Sequence, residues 1–152
     1  MKRKVIAAIA IFMLPLSAQA ATTYTLPIKS ITPGAIDPAV TQSNIASTIC
    51  VVGYTKTVRP PATYTNSLKY AQLRGSYSRY GSTDNSLFEE DHLIPLALGG
   101  APRDPKNLWP EPWTSARKKD TLELKMHLMV CAGSITLAKA RAIFATDRKS
   151  VV

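Results

Sequence analysis

One stretch of the sequence constrains the fold more than any other. In it, Asp91 and His92 come directly before an apolar segment that contains a proline, and Gly99-Gly100 follows. The chain then returns with Asn107 and a second apolar run. Proline and paired glycines end a strand and turn the chain, so the pattern predicts two short strands that pair as a hairpin around a loop.

The first 20 residues have the composition of a secretory signal peptide. Three basic residues precede an apolar run over 5–16, and a small-x-small pattern ends at Ala20. The run is shorter than the roughly 20 residues that a membrane-spanning helix needs. We therefore expect cleavage near Ala20, a secreted or periplasmic protein, and no integral membrane segment in the mature chain.

The chain that follows this leader is basic. The leader holds three of the 19 Lys and Arg and none of the 10 Asp and Glu, which leaves a net charge of +6. A basic exported domain suits a polyanion such as nucleic acid, an anionic glycan or a membrane surface, and it is also simply soluble. Charge alone does not choose among these.

Cys50 and Cys131 are the two cysteines of the sequence. An oxidising compartment favours a disulfide between them over two free thiols. The bond would close a loop of 81 residues. A structural zinc site is the alternative, but the sequence has no CxxC pair and only two histidines, so it lacks the ligands.

The length of 152 residues fits one small domain of α+β class. We expect an extended surface arm at 21–35 and a single domain at 36–152. Local patterns predict a short helix at 38–47, an extended segment at 51–61, a helix from residue 65 or 66, a long helix at 116–130 and a last helix at 135–146.

The long helix has two faces by its spacing. Its expected apolar stripe consists of Thr121, Leu124, Leu128 and Cys131. A second face consists of Ala116, Asp120, Glu123 and His127, and it is the face that could look toward a metal.

The hairpin carries the candidate chemistry. Hydrolysis of a phosphodiester needs an activated water, a cation beside the phosphate oxygens and a fixed geometry between them. A neutral imidazole can take a proton from water at neutral pH, so His92 is the candidate general base. Asp91 is a candidate metal ligand, and the amide oxygen of Asn107 is a fair ligand for Mg²⁺ or Mn²⁺.

Three pieces of the stretch resemble the HNH endonucleases and the wider His-Me finger (ββα-metal) nucleases: Asp91-His92-Leu93-Ile94-Pro95-Leu96, Gly99-Gly100 and Asn107-Leu108. The resemblance covers about 88–111 closely and extends more loosely to residue 131. It implies a hairpin and helix, a ββα-metal core at about 86–131, that grip one divalent ion. It also implies His92 as general base, Asp91 as a ligand, and Asn107 as a ligand or a residue that orients the base.

The third ligand departs from the family pattern. Many HNH members have a last His or Asn near a CxxCH zinc knuckle, and neither occurs here. Asp120 is therefore the expected substitute, with Glu123 in reserve, and His127 is expected to be structural or exposed.

These features together predict a secreted, metal-dependent endonuclease that cleaves DNA, with RNA as the other substrate that the sequence leaves open. Lys118, Lys119, Arg59 and Trp113 are the candidate contacts to nucleic acid. Glu89 and Glu90 are expected to be solvated surface charges. One alternative is a non-catalytic module that binds nucleic acid or an anionic wall polymer. A second is a hydrolase that acts on a phosphate-containing glycan or lipid.

Overall fold

A computed structural model describes residues 25–146, so the expected leader and residues 21–24 of the expected arm lie outside the described residues. Helices α1 to α4 span Tyr54–Val58, Ala62–Arg74, Trp113–Cys131 and Leu137–Thr146. Strands β1 and β2 span Phe88–His92 and Leu108–Pro112. Short 3₁₀ helices lie at Gln42–Ser47, Ser78–Tyr80, Asn85–Leu87 and Leu96–Leu98. This mixture confirms the α+β class.

Strands β1 and β2 form the predicted antiparallel hairpin. Phe88 pairs with Pro112 and His92 pairs with Leu108, so the strands run in register from end to end. Helix α3 begins at the residue after β2. The chain order of strand, strand and helix therefore brings the long helix directly against the hairpin.

The Gly-Gly turn is needed where the loop folds back on itself. Gly99 has a φ of +68°, which favours glycine, and a Cβ atom at Gly100 would collide with the main-chain carbonyl of Ile94. These two glycines allow the loop to close tightly enough to hold the end of β1.

The main core lies between α3, α4 and the N-terminal 3₁₀ helix. It contains Val40, Ile49, Leu98, Leu122, Met126, Val130, Leu137, Ala140 and Phe144. A second cluster packs Tyr77, Leu93 and Trp109 beneath the hairpin loop. Burial of these apolar side chains is the main force that fixes the helices around the loop.

The expected apolar stripe of the long helix is wrong. Leu124 and Leu128 are exposed, whereas Leu122, Met126 and Val130 form the buried side of α3. The same side continues toward the helix N-terminus through Lys119, which is fully buried. A buried lysine on the inward face hides that face from a search for hydrophobic spacing.

Several of the local predictions differ from the structure; α2, for example, begins at Ala62 and not at residue 65 or 66. The expected helix at 38–47 is a 3₁₀ helix that begins only at Gln42, because Thr41 and Asn44 form a capping box. The segment at 51–61 was expected to be extended, but it contains α1. Gly53, with a φ of +86°, turns the chain and allows the helix to start at Tyr54.

The expected N-terminal arm, of which residues 25–35 are described, contains a turn in which the N–H groups of Ile31 and Thr32 both donate to the Ile28 carbonyl at 2.8 Å, and it does not simply lie over the surface as expected. Thr32 is fully buried and its hydroxyl accepts a hydrogen bond from the Tyr77 hydroxyl at 2.7 Å. Ile36 forms an isolated antiparallel bridge with Gly100. The arm is therefore part of the scaffold around the hairpin loop.

The predicted disulfide is confirmed. Cys50 and Cys131 are bonded, which joins the chain just after the first 3₁₀ helix to the last residue of α3. Within residues 25–146, no helix combines the length and apolar character required to cross a bilayer.

Candidate active site

Asn107 closes the loop that follows β1. Its side-chain oxygen accepts hydrogen bonds from the main-chain N–H of Ile94 at 2.9 Å and of Ala35 at 3.4 Å. Its side-chain nitrogen donates to the carbonyls of Ile94 at 3.0 Å and Ala101 at 3.1 Å. All of the usual hydrogen-bonding capacity of this buried amide is therefore used to hold the loop.

His92 lies at the end of β1, and only 4% of its surface is exposed. Its Nε2 lies 3.0 Å from the carbonyl oxygen of Pro102. Because a carbonyl only accepts, Nε2 must carry the hydrogen and the basic lone pair is on Nδ1. Burial lowers the pKa of His92 below its usual value of 6.5, so the imidazole is neutral at pH 7.

Asp91 is held against helix α3. One carboxylate oxygen accepts the main-chain N–H of His92 at 2.7 Å, and the other lies 2.8 Å from Lys119 Nζ. Burial is the largest effect on Asp91 and would raise its pKa, but the Lys119 charge and the hydrogen bonds to Glu111 and Lys119 together outweigh burial, so this pKa lies below its usual range. Asp91 is therefore an ionised carboxylate that already has a cationic partner.

Lys119 is the centre of a buried charge cluster. Its Nζ also lies 3.3 Å from Glu123 Oε2, and the Glu111 carboxyl contributes to its electrostatic environment. Burial opposes the charge, but Asp91, Glu123 and Glu111 together raise the pKa of Lys119 above its usual value. Glu111 is itself fully buried and accepts a hydrogen bond from the Ser115 hydroxyl at 2.6 Å.

A cleft of about 310 Å³ lies between the hairpin and α2. It is lined by Arg59, Pro60, Ala62, Thr65, Asn66, Lys69, Glu89, Glu90, His92 and Trp113. Arg59 is exposed, whereas Lys69 is buried and donates to the carbonyl of Phe88 at 2.8 Å. The cleft therefore combines an imidazole, an accessible guanidinium and an indole.

Glu90 is not the solvated charge that the sequence led us to expect. It is only 9% exposed, and within residues 25–146 neither carboxyl oxygen has a hydrogen-bond partner. Burial raises the pKa of Glu90 to about 9, so this carboxyl is protonated at pH 7. The correction follows from strand alternation, because His92 and Glu90 lie two residues apart on β1 and both face the interior.

Glu89 is partly buried, so the same expectation is wrong for it in part. Burial, together with the negative charges of Asp91 and Asp120, raises the pKa of Glu89 to about 7. Glu89 therefore changes charge near neutral pH at the edge of the cleft.

Asp120 lines a different depression, of about 240 Å³, with Thr55, Ala97, Glu123, Leu124 and His127. His127 has Nε2 2.9 Å from the carbonyl of Ile49, so one of its ring nitrogens is engaged away from the hairpin. The structure thus places Asp120 and His92 in separate depressions.

The ligand set that the sequence predicted does not converge on one point. Asn107 uses its oxygen to hold the loop, Asp91 is paired with Lys119, and Asp120 faces the second depression. Among residues 25–146, the one group of three His, Cys, Asp or Glu ligand atoms within 4.8 Å is Cys50, His127 and Cys131. Its two sulfurs form the disulfide and offer no thiolate. The disulfide sulfurs therefore do not fit a divalent ion, and Asp91 and Asn107 already have protein partners.

Two of the four predicted contacts to nucleic acid line the cleft, and two do not. Arg59 and Trp113 line the His92 cleft, and Trp113 is 39% exposed. Lys119 is buried in the charge cluster, and Lys118 is half-buried beside it on α3. Arg59 and Trp113 are therefore the candidate contacts that the structure brings together with His92.

Several residues of the site were not predicted from the sequence. Glu90 had a usable signal, because it is two positions from His92 on a strand. Lys69 and Glu111 had none, because their places depend on how α2 and α3 pack against the hairpin.

Comparisons with protein-family models, curated proteins and solved structures found no match for this chain.

Proposed function

We propose that this protein is a phosphodiesterase that cleaves nucleic acid, with His92 as the general base. The observation that carries the proposal is the setting of His92. Its Nε2 is tied to the Pro102 carbonyl, so Nδ1 is the basic nitrogen, and the residue lines a cleft with Arg59 and Trp113.

The proposed hydrolysis step uses His92 and Arg59, which both line the cleft. Nδ1 of His92 takes a proton from a water molecule, the water oxygen attacks phosphorus as the P–O bond to the leaving oxygen breaks, and the leaving oxygen takes a proton from solvent. The His92 imidazolium then returns its proton to solvent. The guanidinium of Arg59 suits paired hydrogen bonds to the phosphate oxygens. A buried imidazole that is neutral at pH 7 needs no prior proton loss to act.

Asp91 acts in this proposal through position. Its carboxylate holds the main-chain N–H of His92 at 2.7 Å, and Lys119 fixes that carboxylate from α3. The resemblance to HNH nucleases implies Mg²⁺ or Mn²⁺, but the donors do not converge, so the proposed step does not depend on a metal. The need for a metal is a separate outcome of the test below.

The test compares wild type, His92→Ala and His127→Ala on plasmid and single-stranded DNA. Each protein is assayed with Mg²⁺, with Mn²⁺ and with EDTA. We expect His92→Ala to lower the cleavage rate by about 10²–10⁴-fold, the usual value of a general base. His127→Ala, the matched change at the other histidine, should keep the rate within a few-fold. Equal losses in the two variants would reject His92 as the base.

A non-catalytic binding module is the second candidate, and the Asp91–Lys119 ion pair favours it. A carboxylate neutralised by lysine is a poor starting point for a metal site, whereas a cleft with an exposed arginine, Arg59, can still bind a polyanion. DNA binding by the wild type without cleavage under any of the metal conditions would favour this candidate and overturn the enzyme.

A further inference from the structure

We propose that the His92 cleft accepts an unpaired nucleic-acid strand, one nucleotide at a time, with its base stacked on Trp113 and its phosphate beside Arg59. This inference deepens the proposed function by naming the form of the substrate. Cleavage of the bound strand rests on the proposed function, but binding of the strand can be measured without any cleavage.

His92 lies deep in the cleft. The imidazole is 4% exposed, so a phosphodiester must enter the cleft to reach it. The cleft volume of about 310 Å³ is at the small end of ligand pockets, which suits a nucleotide more than a paired helix. A single strand can turn a nucleotide outward at small cost, whereas a duplex must first unstack and unpair it.

Trp113 presents an accessible aromatic ring in the cleft. The protein has two tryptophans, and Trp109 is fully buried in the core while Trp113 is 39% exposed in the cleft. An accessible aromatic ring beside a cation is the usual platform on which unpaired bases stack. In a duplex the faces of the bases are covered by their neighbours, so this ring would have no partner there.

The cleft has few accessible positive charges. Arg59 is the exposed cation among the residues that line the cleft, since Lys69 is buried and bonded to the Phe88 carbonyl. Glu89 and Glu90 share the same lining. Glu90 is protonated at pH 7 and Glu89 is only partly charged there, so the one accessible guanidinium supplies positive charge for one phosphate backbone and not for a second one close by.

The experiment uses His92→Ala protein, so that the oligonucleotide survives. Fluorescence anisotropy measures the Kd for labelled 12-nucleotide oligothymidine and for a blunt DNA duplex of the same length, at one salt concentration. We expect the single strand to bind at least tenfold more tightly. Tryptophan emission should change on binding, because Trp113 is accessible.

The stacking role is tested by adding Trp113→Ala and Trp113→Phe. The alanine change should weaken binding of the single strand by about tenfold and of the duplex by less than twofold, and phenylalanine should restore most of the loss. Tyr70→Ala is the matched control, because Tyr70 is an exposed aromatic that does not line the cleft. Circular dichroism checks that each variant is folded, and the phenylalanine variant serves if the alanine variant is not.

Equal affinity for the two DNA forms, or no effect of Trp113→Ala on the single strand, would overturn the inference. Preferential, Trp113-dependent binding of the single strand supports it even if the wild type cleaves nothing, and that result would reject the enzyme alone. Cleavage of both DNA forms at one rate, unchanged by Trp113→Ala, would keep the enzyme and reject the inference.

Discussion

Three consecutive acidic residues on β1 have three different protonation equilibria. The pKa of Glu89 rises to about 7 and that of Glu90 to about 9, whereas the pKa of Asp91 is lowered. The difference comes from their partners, because Asp91 has the ammonium group of Lys119 at 2.8 Å and Glu90 has no hydrogen-bond partner among residues 25–146. Three carboxylic acids in a row thus carry different charges at pH 7.

Glu90→Gln should stabilise the protein at alkaline pH. The pKa of Glu90 is raised in the folded state from 4.5 to about 9, so its contribution is intact below about pH 4.5 and is lost as pH rises toward 9. An amide has no proton to lose. We expect the free energy of unfolding to rise by about 1–3 kcal/mol at pH 8 and to change little at pH 4.

Urea unfolding at several pH values measures this effect, with Glu89→Gln as the comparison. The gain from Glu89→Gln should stop growing near pH 7, where the pKa of Glu89 lies. A gain from Glu90→Gln that is the same at pH 4 and pH 8 would contradict the assignment.

Asn107→Ala should destabilise the fold. The change removes four hydrogen bonds and leaves the buried main-chain groups of Ile94 without side-chain partners. We expect a loss of about 2–4 kcal/mol in the free energy of unfolding. Asn66→Ala, at an exposed asparagine of α2, should stay within about 0.5 kcal/mol. Comparable losses in the two variants would show that the loop does not depend on this amide.

At the scale of elements, the hairpin and α3 are joined by charge as well as by packing. Lys119 reaches from α3 to Asp91 on β1, and Glu111 lies at the end of β2 near the same group. The helix therefore fixes the strand that carries His92. The inward face of α3 is polar near the hairpin and apolar toward its C-terminus.

Lys119→Met should weaken this junction. It leaves the Asp91 carboxylate buried without its cation, and breaking a buried pair in this way costs about 3–5 kcal/mol. Thermal and urea unfolding measure the loss, and Lys125→Met on the exposed side of α3 should be nearly silent. Adding Asp91→Asn to Lys119→Met should recover part of the stability, and the absence of any recovery would argue against the pair.

The sequence predicted elements whose signals are local. The hairpin followed from proline and paired glycines, and the long helix followed from its spacing. The place of Lys119 on the inward face of α3 was not predictable, because its burial depends on the distant Asp91. The order Asp91, His92 and Asn107 was likewise visible, but the use of the Asn107 amide inside the loop depends on Ala35, 72 residues earlier in the chain.

At the scale of the whole molecule, the Cys50–Cys131 disulfide joins the N-terminal half to the end of α3 and encloses α1, α2 and the hairpin. This link was predictable from composition and compartment, because two cysteines allow one pairing. The packing of α2 against the hairpin was not, since it depends on contacts between distant parts of the chain.

Removal of the disulfide should lower the stability of the fold. For a loop of 81 residues the chain-entropy model gives about 4–5 kcal/mol. We expect Cys50→Ser/Cys131→Ser, or reduced wild type, to unfold at markedly lower urea concentration. Intact-mass analysis after alkylation without reductant should find no modified thiol, and two modified thiols would reject the bond in the purified protein.

Residues 34–37, at the end of the N-terminal arm and just after it, supply main-chain partners to both ends of the loop that follows His92. Gly34 N–H donates to the Lys106 carbonyl, Asp37 N–H donates to the Gly99 carbonyl, and Ala101 N–H donates to the Ala35 carbonyl, each at 2.9 Å. This arrangement limits how far proteolytic trimming from the N-terminus can proceed. A cut after residue 37 would spare every side chain of the cleft and still remove the backbone that holds the loop closed.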